Sequence, residues 1–529
     1  MNSSVQSFLD EVVSTVQSID KRMAKAYWKF ATTGKREEKE AYARLLKERI
    51  RFFSDPQRFE KLEAMRKQTE NPSLEQQQLD LLYQEFMFGL LEPEEMDRMV
   101  ELISEIELAF IHFRAVDQER SLSENDIHAM LRTETDTYKR KRLWKAGQEV
   151  GSLVAEQVLE LIHLRNQTAR KKGYADFYQM LLELNGWEEK GLFHLLDQLK
   201  EATDQPFSDA KQELDKVVAK PYRFLRPEGI RPWHYADLTF RTAPAICEPH
   251  TDAWWENINL EDQAIQTFQG MGLDIAEILQ RSDLYEREGK SQHAFCMDLD
   301  GAGDIRILCN LRSDAYSMRT LLHTLGYAVY AKFQNGNLPW LLRKATHEVA
   351  KEAVALIMDR LLTESAWLKR IKGGSSDEWM AEAESLKKQA VLDRLVYVRW
   401  CLARSYFERD LYKDPDRDLD SIWWDDMEPI QFVPRPEYRN APDWAAQIHF
   451  VTQPLYCPNA LLGEMMASQI LESMKKRFPD VPHPLVENPD AGHFLKEQIF
   501  DTGMSSTWDQ ILKLNPDDYI RYVVPEGKA

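Results

Sequence analysis

The feature that most constrains the fold of this chain is helical periodicity, which runs through long stretches with few glycines or prolines. Apolar residues recur at steps of three and four in residues 83–113, with one break at Pro93, and again in residues 151–168 and 192–218. This spacing places apolar side chains on one face of an α-helix. Helix-breaking residues gather in other segments, namely 219–234, 299–303, 334–339, 414–445 and 479–492. The pattern predicts a mostly α fold of long helices joined by loops.

The composition is that of a folded protein with an acidic surface. Of the 529 residues, 43% are apolar and 29% are charged, and the net charge is −19. A negative surface repels phosphate backbones, which argues against a nucleic-acid partner. No run approaches the roughly 18 apolar residues of a membrane span, and residues 1–23 carry acids where a signal peptide requires an apolar stretch. We therefore expect a cytoplasmic protein that binds neither nucleic acid nor membranes.

One segment combines β and α patterns. Residues 293–300 and 304–310 are short alternating runs around a Gly-Ala-Gly turn, which is typical of a β-hairpin. A helix is predicted for residues 317–333, followed by a turn at 335–339 and a second helix from about 345 to 362. Any chemistry of this chain is expected in this hairpin–helix–turn–helix block.

The first helix of this block contains the frame of a zinc-binding motif with two functional positions changed. In the pattern His-Glu-x-x-His, two histidines on one helix face bind zinc, and the glutamate takes a proton from the metal-bound water. The five positions here are His323-Thr324-Leu325-Gly326-Tyr327. Threonine has no titratable group near neutrality and cannot act as the base. Tyrosine, with a reference pKa of about 10, would meet a metal mostly as a neutral phenol. Alone, one histidine on a helix is more typical of a packed core residue.

Further segments carry a resemblance to a known family. Glu352 follows His323 on the next predicted helix, where gluzincins place the glutamate that supplies a third zinc ligand. Matching segments occur at residues 231–237, 283–289, 293–310, 337–343, 443–449 and 461–469. In this order they resemble the angiotensin-converting-enzyme-like zinc peptidases, near their boundary with the oligopeptidases. The resemblance spans roughly residues 160–470, and the helical N-terminal third is compatible with it but unspecific.

The resemblance implies a fold as well as a family. It implies a mostly α, two-lobed zincin-like peptidase fold with a deep cleft and a small antiparallel β-sheet at the edge of the active site. The whole chain, residues 1–529, would form one peptidase-like unit. Residues 1–230 would be a helical lobe with lid-like N-terminal helices, and residues 231–529 would be the lobe that carries the altered metal site.

The resemblance also assigns positions to the altered metal site. His323, Tyr327 and Glu352 stand where the family has its three zinc ligands, and Thr324 stands where the family has its general base. Two ligands should hold zinc far more weakly than the three protein ligands of ordinary catalytic sites. We therefore expect a zinc-free cluster in which the Tyr327 hydroxyl, His323 and Glu352 hydrogen-bond directly or through one water.

Other family positions concern the substrate. In the family, a downstream histidine and tyrosine donate hydrogen bonds to the tetrahedral intermediate, and His449 matches the first of them. Ala460 aligns with the second, although Tyr456 lies one helical turn away and leaves the register open. Loss of one such donor typically costs about 10²–10³ in rate. His293, His449 and Tyr456 would then be binding residues of a cleft that accepts a short peptide or protein segment.

Three functional hypotheses follow from these residues. The first is a catalytically inactive peptidase fold that needs no cofactor and keeps a binding cleft. The second is an active zinc metallopeptidase with non-standard ligands, in which Glu348, His347 or a phenolate Tyr327 replaces the missing ligand. The third is a purely structural helical scaffold with a vestigial cleft.

Overall fold

The computed structural model describes most of the chain, and all structural statements below refer to the described residues. These are residues 3–69, 73–244, 255–256, 258–291, 293–344, 348–372, 377–501 and 514–524.

Helices make up most of the described chain. In the first half they are α1 Ser3–Thr33, α2 Arg36–Phe53, α3 Pro56–Gln68, α4 Leu74–Gly89, α5 Pro93–His112, α6 Glu124–Thr133, α7 Thr137–Lys171, α8 Phe177–Leu184, α9 Glu189–Ala219, α10 Leu260–Gly270 and α11 Ala276–Arg281. In the second half they are α12 Ala315–Lys332, α13 Trp340–Lys344, α14 Glu348–Asp359, α15 Ser365–Lys372, α16 Asp377–Lys413, α17 Leu419–Gln431, α18 His449–Thr452, α19 Tyr456–Arg477, α20 Asp490–Leu495 and α21 Asp517–Val523. The mostly α fold predicted from periodicity is confirmed.

Within the described residues, the strands form two antiparallel hairpins. The first joins β1 Ala115–Asp117 to β2 Arg120–Leu122, and the second joins β3 Phe295–Asp298 to β4 Ile305–Leu308. The second hairpin was predicted, and its register pairs Phe295 with Leu308 and Asp298 with Ile305. The turn is stabilised by the Asp298 carboxylate, which accepts hydrogen bonds from the backbone N–H groups of Asp300 and Gly301.

The chain forms two compact units, each assembled from three stretches of sequence. The first unit comprises Met1–Leu91, Pro249–Ala383 and Gly463–Leu514, and the second comprises Glu92–Glu248, Glu384–Leu462 and Asn515–Ala529. The boundaries of these units differ from the predicted lobes, residues 1–230 and 231–529. The division into those lobes stays a prediction. No helix of the described chain combines the length and the apolar character needed to cross a lipid bilayer.

The core of the first unit brings α12 and α14 close together. Asp314 caps the start of α12 by accepting a hydrogen bond from the Ser317 N–H at 2.7 Å. Along α12, Leu321, Leu322 and Leu325 are fully buried. Gly326 allows the close approach, because a Cβ at this position would lie 2.5 Å from Cα of Ala355 on α14. The predicted helix pair is therefore packed backbone against backbone, next to the altered motif.

Candidate functional site

His323, Tyr327 and Glu352 lie together in the first unit, where α12 faces α14. The Nε2 atom of His323 is 3.1 Å from the Tyr327 hydroxyl oxygen, and that hydroxyl donates a hydrogen bond to the Glu352 carboxylate. His323 Nε2 is 3.8 Å from the nearer oxygen of Glu352. The predicted hydrogen-bonded cluster of these three side chains is confirmed, with the phenol placed between the imidazole and the carboxylate.

Asp359 is a further member of this cluster that the sequence analysis did not identify. Its carboxylate lies 3.0 Å from Nδ1 of His323. In zinc sites a carboxylate often holds the second nitrogen of a ligand histidine in this way. Asp359 follows Glu352 by two helical turns on α14, so the seven-residue spacing places both carboxylates on one helix face. The seven-residue spacing from Glu352 is the sequence signal from which Asp359 could have been predicted.

The hydrogen bonds of His323 indicate its protonation state. The Tyr327 hydroxyl donates its hydrogen bond to Glu352, and its oxygen lies where it can accept a hydrogen bond from His323 Nε2–H. The other nitrogen faces the Asp359 carboxylate, so both ring nitrogens act as donors. Burial acts to lower the pKa of His323, but the hydrogen bond and the charge of Asp359, together with Glu352 and Glu464, outweigh it and raise that pKa above its ordinary value. The geometry therefore favours the imidazolium form.

The carboxylate of Glu352 is only partly exposed to water, with 29% of its side-chain surface accessible. Burial raises the pKa of Glu352, while the charge of His323 and the hydrogen bond from Tyr327 oppose that rise. A further cation, Lys351 Nζ, lies 5.4 Å from the centre of the Tyr327 ring. As expected for an acid that is largely withdrawn from water, Glu352 is hydrogen-bonded, with Tyr327 as the donor.

Thr324 stands at the position of the general base, and its hydroxyl is already used. The side chain is buried, and Oγ1 donates a hydrogen bond of 2.6 Å to the Thr320 carbonyl of the preceding turn. This bond belongs to the helix itself and points to no reacting group. That residue 324 takes no proton from water stays a prediction.

The side chains of this cluster do not fit a catalytic zinc centre. Zinc is bound by a neutral imidazole through a free lone pair, whereas the Nε2 atom of His323 faces the Tyr327 hydroxyl. The Tyr327 hydroxyl bridges the two positions from which His323 and Glu352 would reach one ion. Over the described ranges no group of three or more His, Cys, Asp or Glu side chains is arranged to hold a metal. His347 and the side chain of Glu348 lie outside the described residues, so their suggested role stays a prediction.

The other predicted site residues do not belong to the His323 cluster. His293 belongs to the first unit, is exposed, and precedes β3, and its backbone N–H donates to Ser291 Oγ at 3.4 Å. His449, Tyr456 and Ala460 belong to the second unit. The ring centres of His449 and Tyr456 are 5.2 Å apart, so the fold brings these two side chains together. Ala460 follows Tyr456 by one turn of α19 and is buried.

The chemistry of this second group is set by burial and by positive charge. Burial, reinforced by the charges of Arg404 and Arg241, lowers the pKa of His449 to about 3, so its imidazole is neutral near pH 7. The Tyr456 hydroxyl oxygen accepts a hydrogen bond of 3.2 Å from Arg241 Nη2. Two possible hydrogen-bond donors therefore lie close together here, while Ala460 has no polar group.

Comparison with known protein families gives a match to part of the chain. The model of peptidase family M2, angiotensin-converting enzyme, matches residues 1–210 of the 529. The match lies over the helical N-terminal part, where the sequence resemblance was unspecific. It overlaps the span of that resemblance, roughly residues 160–470, only at residues 160–210, and it includes none of the candidate site residues. No curated protein matches the chain. The match supports a relationship between this chain and the angiotensin-converting-enzyme peptidases.

Proposed function

We propose that this chain is a catalytically inactive relative of the angiotensin-converting-enzyme peptidases that binds an extended peptide or protein segment without cutting it. One observation carries the proposal: the Tyr327 hydroxyl lies between His323 and Glu352 and hydrogen-bonds to both. The same three positions hold zinc in the family that the sequence resembles. Here they form a network whose polar atoms satisfy one another.

Two further positions support inactivity independently of the metal. A zinc peptidase needs a group that removes a proton from water, and Thr324 offers a hydroxyl that is bonded to its own helix. It also needs donors for the oxyanion, and Ala460 offers none at its position. Each loss alone would lower the rate by orders of magnitude.

The free edge of β3 supports binding. The Leu299 N–H donates a hydrogen bond to the Asp304 carbonyl, so these two residues are a hydrogen-bonded pair of the hairpin. Hydrogen-bonded pairs alternate with non-hydrogen-bonded pairs along an antiparallel ladder. The main-chain N–H and C=O groups of Cys296 and Asp298 therefore point away from β4. No described strand pairs with that edge, whereas the outer side of β4 is bonded to Asp283. An extended peptide could add to β3 through main-chain hydrogen bonds. A scaffold that binds nothing is the alternative outcome.

The proposal predicts no peptide cleavage. Purified protein, with and without added zinc, should hydrolyse internally quenched peptides no faster than a Glu352→Ala variant of the same preparation. Labelled extended peptides should nevertheless change fluorescence anisotropy on titration. Cleavage that is abolished by either His323→Ala or Glu352→Ala would contradict inactivity, and a lack of binding to every peptide in a diverse pool would favour the structural scaffold.

The second candidate is a metallopeptidase with non-standard ligands, and Asp359 favours it. Its carboxylate contacts Nδ1 of His323, as carboxylates contact the non-ligating nitrogen of zinc-bound histidines in active zinc enzymes. Metal binding by this route requires Tyr327 to leave its place between His323 and Glu352. The expected cytoplasmic location and the expected lack of nucleic-acid and membrane partners remain predictions under either candidate.

A further inference from the structure

The second unit carries a positively charged loop, although the net charge of the chain is −19. This basic loop, residues 220–226, follows α9 and has the sequence Lys-Pro-Tyr-Arg-Phe-Leu-Arg. Its charged side chains are Lys220, Arg223 and Arg226, and it contains no acidic residue. All three cations are exposed, and no carboxylate of the described residues lies within ion-pair distance of any of them.

The basic residues on either side of this loop do have acidic partners. Lys216 Nζ lies 2.6 Å from the Glu213 carboxylate, and Arg231 Nη2 lies 3.8 Å from the Glu437 carboxylate. The cations of the basic loop therefore form a local positive surface that no ion pair neutralises. Physiological salt screens exposed charges beyond about 8 Å, so more distant acidic residues weaken this surface little.

An exposed aromatic ring lies among these charges. Phe224 is 88% exposed, and Arg223 Cζ lies 5.2 Å from the centre of its ring. Contact with an apolar side chain would remove this ring from water and stabilise a complex. Aromatic residues and arginine are the residue types most enriched where proteins bind one another. The basic loop therefore combines charge with an apolar contact point.

The basic loop is held by backbone and ring contacts. The Tyr222 N–H donates a hydrogen bond of 3.0 Å to the Ala219 carbonyl at the end of α9, and the Leu225 N–H donates one of 3.3 Å to the Tyr222 carbonyl. The Tyr222 ring packs edge-on against buried His234, with 5.3 Å between the ring centres. A surface that is already ordered loses less conformational entropy on binding. These contacts favour a loop that is ready to bind a partner.

We propose that the basic loop is a docking site for an acidic segment of a partner protein, in which carboxylates flank an apolar side chain. The carboxylates would accept pairs of N–H bonds from the guanidinium groups of Arg223 and Arg226, and the apolar side chain would cover Phe224. Clustered arginines recognise acidic motifs in this way in many complexes. This inference goes beyond the proposed function and does not depend on it, because the loop lies in the second unit and needs neither the His323 cluster nor the edge of β3.

A short acidic segment suits this loop better than a membrane or a nucleic acid does. Membranes and duplexes extend well beyond the loop, so they would also meet the acidic surface of the chain, which repels them. Proteins held on anionic lipids by charge typically use clusters of roughly 4–8 basic residues, and this loop has three. A short segment contacts the loop alone.

Three peptides with an N-terminal fluorescein and an amidated end test the site. The first is Glu-Glu-Phe-Glu-Glu, the second has glutamine in place of every glutamate, and the third has alanine in place of phenylalanine. Fluorescence anisotropy at low ionic strength follows their binding as the full-length protein is added up to roughly 0.2 mM. The first peptide should bind at least about tenfold more tightly than the glutamine peptide, and its affinity should fall as sodium chloride is added. The alanine peptide should bind less tightly than the first, because it offers Phe224 no large apolar side chain.

Variants assign the binding to the basic loop. Arg223→Gln combined with Arg226→Gln should lose at least about tenfold in affinity for the first peptide, and Phe224→Ala should lose about threefold or more. The matched control combines Arg120→Gln with Lys190→Gln, which removes two exposed cations of the same unit. Lys190 lies at the opposite end of α9 from the loop, and this control should leave the affinity unchanged. Circular dichroism and melting temperatures check that all variants are folded.

Several results would overturn the proposal. These are equal affinity for the glutamate and glutamine peptides, equal losses in the loop and control variants, or no binding of the first peptide at the highest protein concentration. Vesicles of phosphatidylserine and phosphatidylcholine, and a short DNA duplex, are tested in parallel. Binding of either one that requires Arg223 and Arg226, without binding of the acidic peptide, would also overturn the proposal, because the loop would then recognise a lipid surface or a nucleic acid.

Discussion

Replacing Tyr327 by histidine together with Thr324 by glutamate should give a protein that takes up zinc. The first substitution removes the phenol between His323 and Glu352 and supplies a second imidazole one turn from His323. Three protein ligands are then available, as in ordinary catalytic zinc sites. Loss of a second-sphere partner typically changes metal affinity by about 10–100-fold, so a restored direct ligand should raise it by at least about 100-fold. Competition with a chelating dye measures this affinity.

The Tyr327→Phe variant is the control for this experiment. It removes the hydroxyl but adds no ligand, so its zinc affinity should stay close to that of the parent protein. Peptide cleavage by the double variant should remain far below that of a working peptidase, because residue 460 is still alanine. A double variant that takes up no more zinc than the parent would mean that the site has been lost through more than these two residues.

Breaking the buried ion pair between Arg360 and Glu464 should cause the largest loss of stability. These side chains are 5% and 11% exposed, and Arg360 also donates to Ser468 Oγ at 3.0 Å. Arg360→Met leaves the Glu464 charge buried without its partner, which should lower the free energy of unfolding by about 3–5 kcal/mol. Urea denaturation followed by circular dichroism measures the change. The pair lies near the candidate site, since the charge of Glu464 acts to raise the pKa of Glu352.

Two variants make this prediction specific. Arg360→Met combined with Glu464→Leu should regain most of the lost stability, because no uncompensated charge remains. Arg36→Met breaks the exposed pair with Glu40 and should change stability far less. The account of this ion pair would be wrong if Arg360→Met were as stable as Arg36→Met.

The parts of the fold that sequence predicted are those with strong local signals. The Gly-Ala-Gly turn and the alternating runs on both sides of it predicted the β3–β4 hairpin, which the structure confirms. Pro93 predicted a break between two helices, and it is the first residue of α5. The cluster of His323, Tyr327 and Glu352 followed from helix geometry and the length of one phenol side chain.

Other features lacked such signals. The β1–β2 hairpin turns at Gln118 and Glu119, with φ of 47° and 69°, where the usual glycine or asparagine is absent. Asp359 was missed because the motif considered ended at Glu352. Arg241 was not singled out in the sequence, because it lies far from Tyr456 along the chain and only the fold brings its guanidinium to the Tyr456 hydroxyl.

The most direct test of the account is the metal content of the unmodified protein, purified without chelators and without a metal-affinity column. Elemental analysis by mass spectrometry should find zinc, and any other transition metal, well below one ion per chain. That result follows from the phenol between His323 and Glu352, whose hydroxyl faces the Nε2 atom of His323 and donates to the Glu352 carboxylate. About one tightly held zinc per chain, removed only by prolonged chelation, would contradict it.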